Sequence, residues 1–287
     1  MRYRFIEEHA GELPVARMCQ VLKVSRSGYY DWLRRPKSKR QERQEHLLEQ
    51  IRQSHAENRQ VYGAPRVHAD LEEKGVKVCR NTVAKLMRKA GISSKVRRRF
   101  VVRTTDAKHE HPVASNALAG RFDAWEKPNR AWCCDITYVP TDQGFLYLAA
   151  VMDLCSRKIV GWAMADHLRA ELCLDALGMA LEQRRPGQGL LHHSDRGVQY
   201  ACEVYQSLLE ERGIECSMSG TGNCYDNAAM ESFFGTLKTE LVYHEHYPTH
   251  EQARRSIFEY IEVFYNRQRR HSALGYRSPV AFEASLN

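Results

Sequence analysis

The sequence lacks the features that would place the protein outside the cell or in a membrane. No run approaches the roughly 18 apolar residues of a membrane span, and residues 1–13 lack the apolar stretch of a signal peptide. The nine cysteines include no Cys-X-X-Cys pair, which favours reduced thiols over a disulfide framework or a structural zinc site. We therefore expect a cytoplasmic protein with no membrane partner.

Positive charge is concentrated in the first part of the chain. The net charge is +8 over 287 residues, but residues 1–110 carry 26 Lys and Arg against 13 Asp and Glu, whereas residues 111–287 carry 17 against 22. Clustered basic residues favour a polyanionic partner, because binding releases the counterions condensed on DNA. The sequence thus predicts a basic anchoring part followed by a part with another role.

Two helical pairs in the basic part have helix-turn-helix spacing. In the first, Pro14 opens an apolar pattern and Ser25 caps a second helix, which places Arg26 where base edges would be read. A plain helical hairpin would show the same pattern. The second pair follows a helix predicted over residues 47–57. The other basic side chains expected to contact DNA are Arg80, Lys85, Arg88, Arg97, Arg98 and Arg99.

Beyond residue 129 the pattern changes to strands and helices. A strand over residues 130–139, ended by Pro140, begins a three-strand meander with strands over residues 145–153 and 158–165. Helices then alternate with strands, which indicates a mixed α/β sheet. We divide the chain into residues 1–40 and 41–99 (two helix-turn-helix-like parts), 100–128 (a linker), 129–270 (an α/β core) and 271–287 (a tail).

Three acidic residues lie where an α/β enzyme would place its chemistry. Asp135 is in the middle of an apolar strand, an expensive place for an unpaired charge. Asp195 ends a later strand, and the carboxyl ends of strands are common active-site positions. Glu231 lies in a long helix, on the same stripe as Asn227 and Lys238. Asn227 and Lys238 are also candidates for binding DNA.

Such carboxylates could bind hard cations, because Mg²⁺ prefers oxygen ligands. Two ions about 3.5–4 Å apart could stabilise both oxygens of a phosphodiester displacement, with Lys238 holding a phosphate as a point charge. Structural roles remain open for each acid: Asp135 could pair with an arginine, Asp195 could cap a turn, and Glu231 could be a solvated helix position.

The segments around these acids resemble a known family. CCDITYVPT, HHSDRGVQY and NCYDNAAMESFFGTLKTEL are similar to the DDE motif segments of insertion-sequence transposases and retroviral integrases, with 35 residues between the second and third acids. Lys238 matches the basic residue expected seven positions after the glutamate. MDLCSRKIVGWAM and YNRQRRHSALGYRSP are similar to the second-frame transposase product of the IS-three family. The likeness extends over nearly the whole chain.

This resemblance implies an RNase H-like integrase core, with a mixed sheet flanked by helices, after an all-α helix-turn-helix region. It implies that Asp135, Asp195 and Glu231 are catalytic and bind metal, two Mg²⁺ ions that Mn²⁺ can replace. The implied reaction is cleavage at the ends of a DNA element, followed by attack of the freed 3′-hydroxyl on a second DNA.

The implied partners are double-stranded DNA, both terminal repeats and target, and further copies of the chain assembled on it. The product of an upstream reading frame is a further expected partner, as a fusion or separately. The expected location is the bacterial cytoplasm, in association with the nucleoid.

Three other interpretations are open at the sequence level. The first is an RNase H-like nuclease that cuts without joining. The second is a recombinase with a covalent tyrosine, suggested by the basic residues 269–271 before Tyr276. The third is a non-catalytic DNA-binding regulator of transposition.

Overall fold

The computed structural model describes residues 1–36, 38–95, 114–118, 125–220 and 227–286. Its first three helices enclose a small core that includes Ile6, Met18 and Tyr29. The Ser25 hydroxyl accepts a hydrogen bond from the Gly28 N–H at 3.2 Å, which confirms the predicted cap. These helices are α1 (Arg2–Glu8), α2 (Val15–Val21) and α3 (Arg26–Arg34).

The second helical unit begins earlier than the sequence predicted. Its first helix starts at Lys39 rather than at residue 47, because the Ser38 hydroxyl accepts a hydrogen bond from the Gln41 N–H at 3.2 Å. A domain boundary after residue 40 would therefore cut this helix. The helices are α4 (Lys39–Glu57), α5 (Ala64–Glu73) and α6 (Arg80–Lys89).

The second helical unit packs against the α/β core, and the two share one hydrophobic cluster. Fully buried Tyr62 joins them through polar contacts. Its hydroxyl donates to the Gln268 carbonyl at 3.2 Å and accepts from the Arg270 N–H at 2.8 Å. The Arg270 side chain bonds to Asp70 at 3.3 Å and also to Glu73.

The core contains a five-stranded mixed sheet in the order β3-β2-β1-β4-β5. β1, β2 and β3 are antiparallel neighbours, whereas β4 pairs in parallel with β1 and β5. This topology confirms the predicted meander and mixed sheet. The strands are β1 (Ala131–Thr141), β2 (Gly144–Asp153), β3 (Ile159–Ala165), β4 (Leu191–Ser194) and β5 (Glu215–Met218).

Pro140 does not end β1, contrary to the prediction. It lies within the strand, opposite Phe145 of β2. On its other side, β1 pairs with β4 only over residues 131–133, so the later part of β1 lies at an edge within the described sheet. Proline, which has no backbone N–H to donate, is tolerated at such an edge.

Helices cover both faces of the sheet. Trp132, Cys134 and Ile136 of β1 are buried against one helical layer. Cys133 and Val139 point to the other face and join the cluster that contains the helix Ala228–Glu240. The first layer consists of α7 (Ala170–Arg184), α8 (Val198–Ala201) and α9 (Glu203–Glu211); on the other face lie α10 (Ala228–Glu240) and α11 (His250–Phe258).

The chain after α11 folds back onto the core. α11 continues into a π-helix (Glu259–Tyr265), and a 3₁₀ turn (Ser272–Leu274) leads to α12 (Pro279–Ala284). Glu283 of α12 accepts hydrogen bonds from both terminal nitrogens of Arg184, at 2.7 and 2.9 Å. The predicted tail over residues 271–287 is thus docked through an ion pair as far as it is described.

Most of the predicted linker, residues 100–128, lies outside the described part of the chain. Within it, the N–H groups of Ala117 and Leu118 donate to the Ser217 hydroxyl of β5 at 3.0 and 3.3 Å. Leu118 is fully buried. These two residues therefore belong to the packing of the core.

Candidate active site

The sheet brings two of the predicted carboxylates together. β1 and β4 are parallel, and Cys133 pairs in register with His193. Two positions further along, the same register carries Asp135 of β1 to the level of Asp195, which directly follows β4. Because neighbouring strands lie about 4.7–4.9 Å apart, this arrangement makes the two acids neighbours at the carboxyl end of β4.

Both aspartates are held locally by backbone N–H groups. One carboxylate oxygen of Asp135 accepts from the Ile136 N–H at 2.8 Å. One oxygen of Asp195 accepts from the Gly197 N–H at 2.9 Å, so this acid does cap the following turn. Both residues are only partly exposed. These bonds orient both carboxyl groups at the carboxyl end of β4.

α10 supplies the third acid and the predicted basic residue. Phe233, Phe234 and Leu237 bury one face of this helix against the core. Glu231 lies on its exposed face, and Lys238 follows seven residues later, about two turns on. The helix therefore presents an acid and a base on the stripe that the sequence predicted.

The electrostatics link all four groups. Burial raises the pKa of Asp135 well above its usual range, and the charges of Asp195 and then Glu231 raise it further, against the opposing effect of Lys238. Burial lowers the pKa of Lys238, while the charge of Asp135 raises it. The three carboxylates thus share one region of negative potential, with Lys238 as the cation beside it.

The donor set fits a hard divalent cation. Carboxylate oxygens are the ligands that Mg²⁺ prefers, and a cation would relieve the repulsion that raises the pKa of Asp135. Among the described residues, however, no three His, Cys, Asp or Glu side chains are grouped closely enough to hold a metal ion. Glu231 stands near the start of α10, close in sequence to residues 221–226, which lie outside the described chain.

Asn227, predicted to contact DNA, is instead buried at the N-cap of α10. Its amide oxygen accepts a hydrogen bond from the Cys133 thiol at 2.9 Å. Cys133 lies two residues before Asp135, on the same face of β1. This bond ties the start of α10, the helix that carries Glu231, to the strand that carries Asp135, a link that no motif in the sequence signals.

The sequence pattern does not reveal the environment of Tyr138 either. Tyr138 is only partly buried, and the Lys238 ammonium lies 5.0 Å from its ring centroid. The alternation of side chains along β1 correctly predicts which side chains share a face of the sheet. It does not show that β1 has no partner strand on the β4 side beyond residue 133 in the described sheet. α10 contacts the strand at that edge.

Other polar residues near the acids have structural contacts. Fully buried Asp153 accepts hydrogen bonds from the N–H groups of Asn129 at 2.6 Å and Ser156 at 2.9 Å, and so holds a turn. Buried His193 contacts the hydroxyls of Ser217 and Ser219 at 2.9 and 3.3 Å. These contacts account for both side chains as parts of the scaffold.

The predicted DNA-binding residues of the helical units lie on the surface. Arg26 is exposed at the first position of α3, and Arg80 is exposed at the first position of α6. Lys85 and Arg88 are exposed further along α6. The remaining predicted residues, Arg97, Arg98 and Arg99, lie outside the described residues.

Comparison with known proteins agrees with this architecture. Residues 126–224 and 212–279 match models of an integrase core domain, and residues 42–100 match a model of an HTH-like domain. The chain is 43% identical over 285 residues to the transposase InsF for insertion sequence IS3A of Escherichia coli (strain K12), covering 99% of this chain and 98% of InsF. The chain belongs to the IS-three (IS3) family of transposases.

A second relative of this IS3-family transposase is an uncharacterized 31 kDa protein of insertion element IS600 from Shigella sonnei. The two are 46% identical over 265 residues, 92% of this chain and 97% of the relative. The family assignment confirms a DNA transposase with an integrase catalytic core of the DDE type, preceded by an HTH-like helical unit. The nuclease, tyrosine-recombinase and regulator interpretations are not favoured.

Solved structures that resemble the transposase include viral integrases. A chain of the simian T-cell lymphotropic virus intasome, in complex with the PP2A regulatory subunit B56 gamma, gives a TM-score of 0.48 at 15% identity, covering 75% of this chain and 69% of that chain. The HTLV-2 integrase catalytic core domain in complex with magnesium gives 0.42 at 13% identity, covering 55% and 97%. In the described part of the transposase, no helix has the length and apolar character needed to span a membrane.

Proposed function

We propose that Asp135, Asp195 and Glu231 are the catalytic and metal-binding carboxylates of this transposase. The observation that carries the proposal is the shared electrostatic environment: the charges of Asp195 and Glu231 both raise the pKa of Asp135. The strand register, which aligns Asp135 with Asp195, supports the same grouping. A role as structural ion pairs is less well supported, because all three groups carry the same charge.

The cofactor we infer is a pair of Mg²⁺ ions, for which Mn²⁺ can substitute. When bound, such ions activate a nucleophile and stabilise the attacking and leaving oxygens of a phosphodiester displacement. Three side chains would hold these ions: Asp135 from β1, Asp195 from the position directly after β4, and Glu231 from α10. Lys238, partly buried beside Asp135, is positioned to neutralise a phosphate.

The reaction we propose has two chemical steps on DNA. Water attacks a phosphodiester at an end of the element and leaves a 3′-hydroxyl, which then attacks a phosphodiester of the target DNA. Each step breaks one P–O bond and forms another. One carboxylate site can serve both steps, since only the nucleophile changes.

The helical units would anchor the terminal repeats. Arg26 and Arg80 are exposed in the first turns of α3 and α6, the part of a recognition helix that contacts base edges. Lys85 and Arg88 would contact phosphates. Arg97, Arg98 and Arg99 would extend this surface. We keep the division into two DNA-binding parts, a linker, a core and a C-terminal segment as part of this proposal.

We further infer that the transposase works as a homo-oligomer on DNA, because two element ends must be handled together. The upstream-frame product would join this assembly as a fusion or as a partner, and DNA binding would associate it with the nucleoid. Light scattering after size-exclusion chromatography with paired-end DNA tests the assembly. Elution of one protein copy per complex would exclude an oligomer.

A strand-cleavage and joining assay on end-containing DNA with Mg²⁺ tests the proposed chemistry. Asp135→Asn and Glu231→Gln should abolish both steps, whereas Glu203→Gln, at an exposed position of α9, should leave them unchanged. Joining that survives either substitution at the proposed site would exclude these carboxylates. DNA binding without cleavage, also after fusion to the upstream-frame product, would favour the regulator interpretation.

A further inference from the structure

An aromatic surface adjoins Lys238 of the candidate active site. The rings of Tyr138 on β1 and Phe145 on β2 lie 4.7 Å apart between centroids. Phe145 exposes 51% of its surface, and Tyr138 is partly exposed. We call Tyr138 and Phe145 the aromatic platform.

The platform is connected to the candidate active site through one side chain. Lys238 places its ammonium 5.0 Å from the Tyr138 centroid, within the distance at which a cation is attracted to a ring face. The same ammonium interacts electrostatically with Asp135. Lys238 therefore lies between the Asp135 carboxylate on one side and the Tyr138 and Phe145 rings on the other.

Each part of this surface matches one part of a nucleotide. An ammonium attracts a phosphate, and an exposed aromatic ring stacks on any base that has left the duplex. A paired base inside a duplex cannot offer its face to a side chain, so the ligand must be unpaired. A single exposed phenylalanine is ordinary, but an aromatic pair that shares a cation with Asp135 is not.

We propose that the aromatic platform stacks an unpaired nucleobase next to the phosphodiester that is cut, while Lys238 holds the adjoining phosphate. This inference rests on the proposed function, because it uses the same carboxylates to define the cutting position. The transposase would thus separate the last base pairs of an element end and hold one base on Phe145 and Tyr138. A second copy of the chain is a less suitable occupant, since the patch is small and contains a cation.

Photo-crosslinking tests the platform independently of cleavage. Duplex element ends carrying 5-iodouracil at single positions beside the cleavage site are bound to the full chain in Ca²⁺, irradiated, and digested for mass spectrometry. We expect crosslinks to Tyr138 or Phe145 from one or two positions. Crosslinks confined to other residues would overturn the proposal.

Cleavage kinetics on two DNA substrates provide the second test. Phe145→Leu and Tyr138→Leu should slow cleavage of fully paired ends by about tenfold, the scale expected for loss of one stacked base. On ends whose terminal base pairs are mismatched, the loss should shrink to about twofold, because the cost of unpairing is already removed. Tyr138→Phe, which keeps the ring, should recover most of the rate that Tyr138→Leu loses.

The matched control is Phe258→Leu. Phe258 is similarly exposed, at 50%, but its ring contacts Trp162 of β3. The Phe258→Leu variant should therefore cleave both substrates at the rate of the unmodified transposase. Equal losses on paired and mismatched ends would refute the platform while leaving the proposed reaction intact. Crosslinks to the platform in a protein that cleaves neither substrate would refute the reaction and retain the binding site.

Discussion

Arg269 donates two hydrogen bonds, each 2.8 Å long, to the two carboxylate oxygens of Glu240. Both side chains are buried, and the Tyr260 hydroxyl donates a further bond of 2.8 Å to the same carboxylate. A guanidinium nitrogen of Arg66, in α5, lies 3.7 Å from a carboxylate oxygen of Glu240. Because Glu240 is the last residue of α10, this network fixes the far end of the helix that carries Glu231.

Glu240→Gln should therefore strongly destabilise the transposase. The substitution leaves the Arg269 guanidinium buried without its counter-charge, and the loss of one partner of a buried pair costs about 3–5 kcal/mol. Urea denaturation followed by circular dichroism measures the change in the free energy of unfolding. Arg269→Lys should also destabilise, because an ammonium cannot reproduce the bidentate contact.

An exposed ion pair on α11 supplies the control for this measurement. Arg255 and Glu251 are separated by 2.9 Å, with 79% and 62% of their side-chain surfaces exposed. Glu251→Gln should change the free energy of unfolding by less than about 0.5 kcal/mol. If Glu240→Gln and Glu251→Gln change the free energy of unfolding equally, burial does not determine how much the Glu240–Arg269 pair contributes to stability.

The sequence predicted those parts of the fold that local patterns determine. The meander of β1, β2 and β3 follows from apolar runs, and the cap of α3 follows from Ser25, whose partner Gly28 is three residues away. The three acids were found through motif segments, and the register of β1 with β4 then explains why Asp135 and Asp195 are neighbours.

Contacts between distant segments could not be predicted in this way. Glu240 and Arg269 are separated by 29 residues, and nothing in either local sequence marks them as partners. The edge character of β1 at Pro140 depends on the shortness of β4, and the burial of Asn227 depends on Cys133, 94 residues away. Each error arose where tertiary pairing, rather than local periodicity, decides the environment.

Two glycines near one interface should respond oppositely to alanine. A methyl group at Gly161 of β3 would lie 2.2 Å from the carbonyl oxygen of Ala176 and 2.7 Å from the Cβ of Ala180, both in α7. Gly161→Ala should force the sheet and helix apart and lower the free energy of unfolding by about 1–3 kcal/mol. Thermal unfolding followed by calorimetry measures the effect.

Gly178, in the middle of α7, is the matched position. A methyl group there would meet no heavy atom of the described residues within 4 Å beyond the backbone of its own helix. Gly178→Ala should raise the free energy of unfolding by about 0.5–1 kcal/mol, because glycine is the costlier residue in a helix interior. Destabilisation by both substitutions would contradict the assigned packing.

Buried His192 should make the transposase less stable in acid. Its Nε2 lies 2.8 Å from the Tyr205 hydroxyl and 2.9 Å from the Cys134 thiol; burial, and then the neighbouring His193, lower its pKa to about 3. In the unfolded chain a histidine titrates near pH 6.5. Between these values the unfolded state binds one more proton, so stability is full above about pH 6.5 and falls as the pH decreases towards 3.

Denaturant titrations between pH 7 and pH 4 measure this dependence. His192→Gln should remove up to about 1.4 kcal/mol per pH unit from the slope of stability against pH below 6.5. Tyr205→Phe removes the hydroxyl that is hydrogen-bonded to the same ring but leaves the histidine in place, so it should lower stability by a nearly constant amount across this range. An unchanged slope in His192→Gln would show that His192 is not a source of the acid sensitivity.

Base-reading and phosphate-binding residues of the two helical units should be distinguishable by the way each affects DNA binding. Replacing an arginine that reads bases reduces the ability of the protein to discriminate between sequences. Replacing a residue that binds phosphate weakens binding to all sequences, and it reduces the slope of log affinity against log salt concentration by about one. We expect Arg26→Ala or Arg80→Ala to relax specificity for the element end, and Lys85→Gln to lower the salt slope. Fluorescence anisotropy at several salt concentrations, with end and scrambled duplexes, measures both quantities. Arg212→Gln, at an exposed position after α9, is the charge-matched control, and a salt slope reduced equally by Arg212→Gln would assign the effect to net charge rather than to α6.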